Sequence, residues 1–149
     1  MIREKLGDMI IEATKAQDKI RLQVLKLVKT EYQKLQTSRP REQEMTDQEE
    51  HKILQKMIEQ RETSAETYKK AGRPELAAAE LEEVTVLKSF LPEPMSEKET
   101  LIAVTETIAA YGEISGMRDL KPIISLVQSE YPQIPAAVIS KIFRETLNS

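Results

Sequence analysis

The chain has 149 residues, no cysteine, 32% charged residues and a formal net charge of -3. That length supports a hydrophobic core without metal or disulfide staples, in one domain or two small ones. The missing cysteines exclude a disulfide framework, a thiolate zinc site and a thiol nucleophile, and the negative balance argues against a generally basic, indiscriminate nucleic-acid binder.

The charged start Met1-Ile2-Arg3-Glu4-Lys5 leads into no long apolar run, so neither a signal peptide nor a membrane span is expected, and cytoplasm is the expected location. Charge is uneven along the chain. Residues 1–41 carry 10 basic against 5 acidic side chains, residues 42–91 carry 7 against 12, and residues 92–149 carry 5 against 8.

Leu6, Met9, Ile10 and Ala13 recur at helical spacing, which predicts a first helix over about residues 2–16. Asp18 caps a second helix over about residues 19–36. Val24, Leu25, Val28, Tyr32 and Leu35 share its apolar face, and Lys19, Lys26, Lys29 and Lys34 lie around the opposite side. After a polar connection containing Pro40, Thr46 and Glu49 form a capping box that opens a third helix over about residues 47–70. Its apolar positions are Leu54, Met57, Ile58, Ala65 and Tyr68, and Gly72 stands where a left-handed C-terminal cap belongs.

Pro74 fits the first turn of a fourth helix, where its missing N–H is no loss. Leu76, Ala77, Leu81, Val84, Leu87 and Leu91 are its expected buried stripe, ended by Pro92 and Pro94. Ser96 with Glu99 opens a fifth helix whose Leu101, Val104, Thr105 and Ile108 are expected to face inward as far as Gly112. Gly112 to Gly116 reads as a loop. A sixth helix is expected from near Asp119, with Pro122 in its first turn, through Ile123, Ile124, Leu126 and Val127. A seventh follows Pro135 and presents Val138, Ile139, Ile142, Phe143 and Leu147.

The fold class is therefore all-α: an N-terminal four-helix unit over residues 1–91, a Pro-containing hinge at residues 92–95, and a small three-helix unit over residues 96–149.

Several residues invite a chemical reading. His51 follows Asp47 by one helical turn, but two ligands do not make a metal site, and no metal or other cofactor is expected. Glu59, Glu62 and Glu66 lack the Glu-x-x-His element of di-iron bundles and read as a charged outer face. No glycine belongs to a phosphate-cradling loop, and no catalytic residue is assigned. Arg21, Arg61 and Glu80 all fall on apolar sides of their helices, where an unpaired charge is costly. Glu80 is accordingly expected to accept from Arg21, Arg61 or both as a buried ion pair. Lys15, Lys19, Lys26, Lys29 and Lys34, with Arg39 and Arg41, form the candidate nucleic-acid contact. With no aromatic residue among them, binding would run through phosphates and shape.

The stretch Ala13-Thr14-Lys15-Ala16-Gln17-Asp18-Lys19-Ile20-Arg21-Leu22, then Gln60-Arg61-Glu62-Thr63-Ser64, Ala71-Gly72-Arg73-Pro74-Glu75-Leu76, Glu80 and Phe90-Leu91-Pro92 resembles the YqeY family. Its members are similar to the tail domain of GatB, a subunit of the tRNA-dependent amidotransferase. The resemblance implies a noncatalytic helical module associated with tRNA or with a tRNA-handling enzyme. It also implies a family label of carbon–nitrogen ligase with glutamine as amido donor, for which these residues offer no machinery. In the C-terminal half, Asp119-Leu120-Lys121-Pro122 and Tyr131-Pro132-Gln133-Ile134-Pro135 stand where the family usually has basic, Gly-containing stretches. The alternative expectation is a protein–protein adaptor that offers a partner helix an apolar groove in the C-terminal unit, with Ile134, Phe143 and Leu147 as surplus apolar surface unless they simply close the small core.

Overall fold

A computed structural model describes residues 1–149 as helices and connections, with no strand. The chain divides into two compact units, Met1–Pro92 and Glu93–Ser149. The first holds α1 (Leu6–Lys15), α2 (Lys19–Thr37), α3 (Asp47–Lys70) and α4 (Pro74–Lys88). The second holds α5 (Glu97–Tyr111), a 3-10 turn (Met117–Asp119), α6 (Leu120–Glu130) and α7 (Ala136–Leu147). No helix is long and apolar enough to cross a membrane.

Local chemistry sets most helix ends. Asp18 accepts the Arg21 amide hydrogen at the start of α2, and Thr46 and Glu49 exchange the two bonds of a capping box at the start of α3. Ser96 accepts the Glu99 amide hydrogen ahead of α5. Two helices end in Schellman geometry, in which amide hydrogens beyond the helix reach back to its last free carbonyls. After α3, Arg73 donates to Tyr68 O at 2.8 Å and Gly72 to Lys69 O at 3.1 Å, with Gly72 at φ 72°. After α1, Asp18 donates to Ala13 O and Gln17 to Thr14 O, but the left-handed residue is Gln17, at φ 58°. A side chain there works against its own carbonyl, a strain glycine avoids.

α1 begins at Leu6, not near residue 2; ahead of it Lys5 N donates to Ile2 O in a turn, and the Ile2 and Arg3 amide hydrogens bind a side chain of α3. In the loop after α5, the buried Asp119 accepts from Ser115 N at 2.7 Å, Gly116 N at 3.2 Å and the Tyr111 hydroxyl at 2.9 Å. The Ser115 amide, followed by the Tyr111 hydroxyl, holds the Asp119 carboxyl below its usual range. This carboxylate gathers the loop and delivers the chain into α6 with Pro122 in its first turn.

Leu25, Val28, Leu54 and Leu87 are fully enclosed in the first core, and Phe143, Ile123, Ile139 and Ile134 in the second. Each such side chain contributes roughly 1.5–3 kcal/mol through removal from water. The expected stripes hold in outline but are rotated in places. Leu81, Leu101, Thr105, Leu126, Val138 and Leu147 stand exposed, while Thr100 and Ala103 take the inward positions of α5. Ile134 and Phe143 close the small core and are not surplus surface. A helix period specifies an apolar arc, and the neighbouring helix decides which edge of that arc is covered.

Candidate nucleic-acid interface

α2 has four fully or nearly enclosed side chains, Val24, Leu25, Val28 and Tyr32, at helical spacing, so its opposite face is fixed toward solvent. Along that face run Lys19, Gln23, Lys26, Thr30, Gln33 and Thr37, all exposed. Lys29 flanks this ridge on one side and Lys34 on the other. Lys19 and Lys26 are separated by about 10 Å along the helix axis, at the usual rise per residue. Lys15, Lys19, Lys26, Lys29 and Arg41 are exposed and make no ion pair, whereas Lys34 Nζ donates to Glu31 Oε1 at 3.1 Å.

Arg39 does not share this exposure. Its guanidinium turns toward the start of α3, where Nη1 donates to Glu49 Oε1 at 3.0 Å and Nη2 to Oε2. The bond from Arg39, aided by the Thr46 amide, pulls the Glu49 carboxyl down to about 2. Glu49 thus caps α3 and anchors the preceding loop at once. Arg39 stabilises that loop and is not free to reach a phosphate.

The three charges expected to meet one another do not. Arg61 Nε donates to Glu83 Oε2 at 2.9 Å and its Nη1 to Met57 O at 3.1 Å. Both partners of the Arg61–Glu83 pair are largely shielded from water. Glu80 is half-buried on the neighbouring turn of α4 and takes part in no ion pair. Arg21 lies over the Phe90 ring, its guanidinium carbon 5.3 Å from the centroid. This is cation–π distance, and it joins the first turn of α2 to the residues just beyond α4.

A different carboxylate occupies the centre of the first unit. Glu50 is fully buried. Its Oε1 accepts from Ile2 N at 2.9 Å, Arg3 N at 3.0 Å and the Tyr32 hydroxyl at 2.8 Å, and its Oε2 accepts from Arg3 Nη1 at 2.6 Å. Asp47, one turn earlier on α3, takes a second bond from the same Arg3 nitrogen. Burial, reinforced by the bond to Glu50, pushes the Tyr32 hydroxyl well above its usual range, so it acts as a proton donor to the carboxylate and not as an acid. His51 is half-buried, and burial lowers its imidazole below 6.5. The sequence held one signal for Glu50: it extends the Leu54, Met57 and Ile58 stripe by one turn toward the N-terminus. Its three partners, Ile2, Arg3 and Tyr32, came from distant parts of the chain.

These features define an all-α protein of two helical units, the first organised around a buried carboxylate and presenting a lysine-lined helix face to solvent. The chain belongs to the YqeY family: residues 3–147 match the family described as Yqey-like protein. No curated protein matches it.

Proposed function

We propose that the protein is a noncatalytic helical module that associates with tRNA through phosphate contacts along the exposed face of α2, in the manner expected of a relative of the GatB tail. The observation that carries this reading is the ridge itself. Four lysines on or near α2, Lys15, Lys19, Lys26 and Lys29, carry no ion pair, and they are interleaved with Gln23, Thr30 and Gln33, whose side chains also hydrogen-bond phosphate and ribose oxygens. Buried aliphatic residues hold the opposite side of the helix, so the ridge is presented on a rigid element. Arg39 belongs to the fold and drops out of the contact set, while Arg41 stays in it.

Backbone contacts of this kind read charge and shape, not sequence. With the four lysines and Arg41 each neutralising one phosphate, the slope of log affinity against log salt is about -4. Electrophoretic titration of the intact chain with total tRNA at low and moderate salt tests the proposal. A shift that weakens along that slope is expected. Absence of any shift at micromolar protein in low salt would sink the idea.

A further inference from the structure

The second unit contains a groove of about 500 Å³ between α5 and α7, with Leu101, Ile134, Val138 and Ile142 among its walls. Two of these are apolar side chains left in water, Leu101 at 48% and Val138 at 38% exposure. Gln133 also lines the groove. Its Nε2 donates to Glu93 O at a long 3.4 Å, while its Oε1 is buried and receives no hydrogen bond. A buried acceptor without a donor loses its water and gains nothing in return. The adjoining backbone offers little remedy, because Pro132, Pro135 and Pro94 have no N–H to give.

Charge narrows the occupant. Glu97 and Glu145 line the same groove, exposed and without an ion pair, against one lysine, Lys141. The whole unit from Glu93 onward carries eight acidic and five basic side chains. Phosphate-bearing ligands are repelled by that balance, and apolar walls offer them nothing.

We infer that the α5–α7 groove docks a basic amphipathic helix of a partner protein. Apolar side chains of that helix, at i and i+3 or i+4, cover Leu101 and Val138. Lysines or arginines of that helix face Glu97 and Glu145. A second copy of this chain is the less fitting occupant. Its α2 shows Ile20 and Leu27 among lysines, but α2 in a groove pairs two different surfaces. Such a contact leaves one groove and one helix unfilled at the ends of every open assembly. The groove belongs to the second unit and α2 to the first, so the outcome is independent of RNA binding.

The test selects a displayed library of short random peptides on the intact chain, with Val138→Glu as counter-target, and measures synthesised winners by fluorescence anisotropy. Val138 and Leu101 are exposed, so their glutamate variants keep the native helical circular dichroism. Enrichment of peptides with helical apolar spacing and Lys or Arg flanks is expected. Their affinity should fall by about tenfold or more with Val138→Glu and Leu101→Glu. Enrichment equal on the counter-target, a preference for acidic peptides, or binding indifferent to Val138→Glu and Leu101→Glu would overturn the assignment. So would concentration-dependent dimerisation that Val138→Glu abolishes, because it would place a second copy in the groove.

Discussion

Tyr32 and Glu50, on α2 and α3, meet through a buried 2.8 Å hydrogen bond, and the same carboxylate oxygen holds the amide hydrogens of Ile2 and Arg3. One side chain of α3 therefore fixes α2 and the segment ahead of α1 together. Replacing Glu50 by Ala strands the Tyr32 hydroxyl and the Ile2 N–H in the core and costs about 3–5 kcal/mol. Tyr32→Phe leaves the carboxylate with its other donors and costs about 1–2 kcal/mol. Urea unfolding of both single variants and of the double variant checks this. The double variant should lose less than the sum, since both act on one network.

The left-handed residues after α1 and α3 give effects of opposite sign. Gln17→Gly relieves strain at φ 58° and, the side chain being exposed, sacrifices no packing; a gain of about 0.5–1 kcal/mol is expected. Gly72→Ala meets no atom within 4 Å of the new Cβ, so its cost of about 1–2 kcal/mol comes from backbone conformation alone. Thermal midpoints should move up for the first and down for the second.

Ion-pair partnership is testable by double-mutant cycles. Arg61→Ala combined with Glu83→Ala should show a coupling of about 1 kcal/mol or more, because both groups are largely shielded from water. Arg61→Ala combined with Glu80→Ala should show a coupling near zero. A large coupling at Glu80 would contradict the arrangement.

Two groups give pH signatures. Glu49 is depressed in the folded state to about 2, mainly by Arg39, so its stabilisation is present above its unfolded value of 4.5 and is lost as pH falls from there toward 2. Glu49→Gln should therefore be less stable than the parent at neutral pH, and the difference should shrink across that window in urea titrations. His51, the sole histidine, is also depressed, here by burial. Its contribution is present above 6.5 and declines as pH falls below it, and its imidazole Cε1–H resonance should titrate with a midpoint under 6.5.

The α2 ridge and the Arg39 anchor separate binding from stability. Lys19→Glu with Lys26→Glu should weaken tRNA binding by at least about tenfold and flatten the salt slope by about 2, at unchanged thermal stability. Arg39→Ala should do the reverse, lowering the thermal midpoint while leaving the tRNA titration in place.

Local sequence chemistry alone determined that this protein is helical and where its helices begin and end. Asp18, Thr46 with Glu49, Gly72, Pro74 and Ser96 act on amides and carbonyls a few residues away, so their effect is written in the spacing. The start of α1 was the exception, because residues 2–5 form a turn whose amides are held by a carboxylate from another helix. Tertiary structure alone decided which partner each buried charge found. A helical wheel places Arg61, Glu80 and Glu83 on an arc of their helices; only the packing of α3 on α4 selects Glu83. Arg21 was legible as half-buried, yet its neighbour is the Phe90 ring and not a carboxylate. Glu50 went unread because its donors come from residues 2, 3 and 32, a distance no periodicity spans. The lysine ridge was visible at once, since a face opposite a buried stripe must be exposed. That Arg39 leaves that surface to hold Glu49 depended on a loop whose course only the fold fixes.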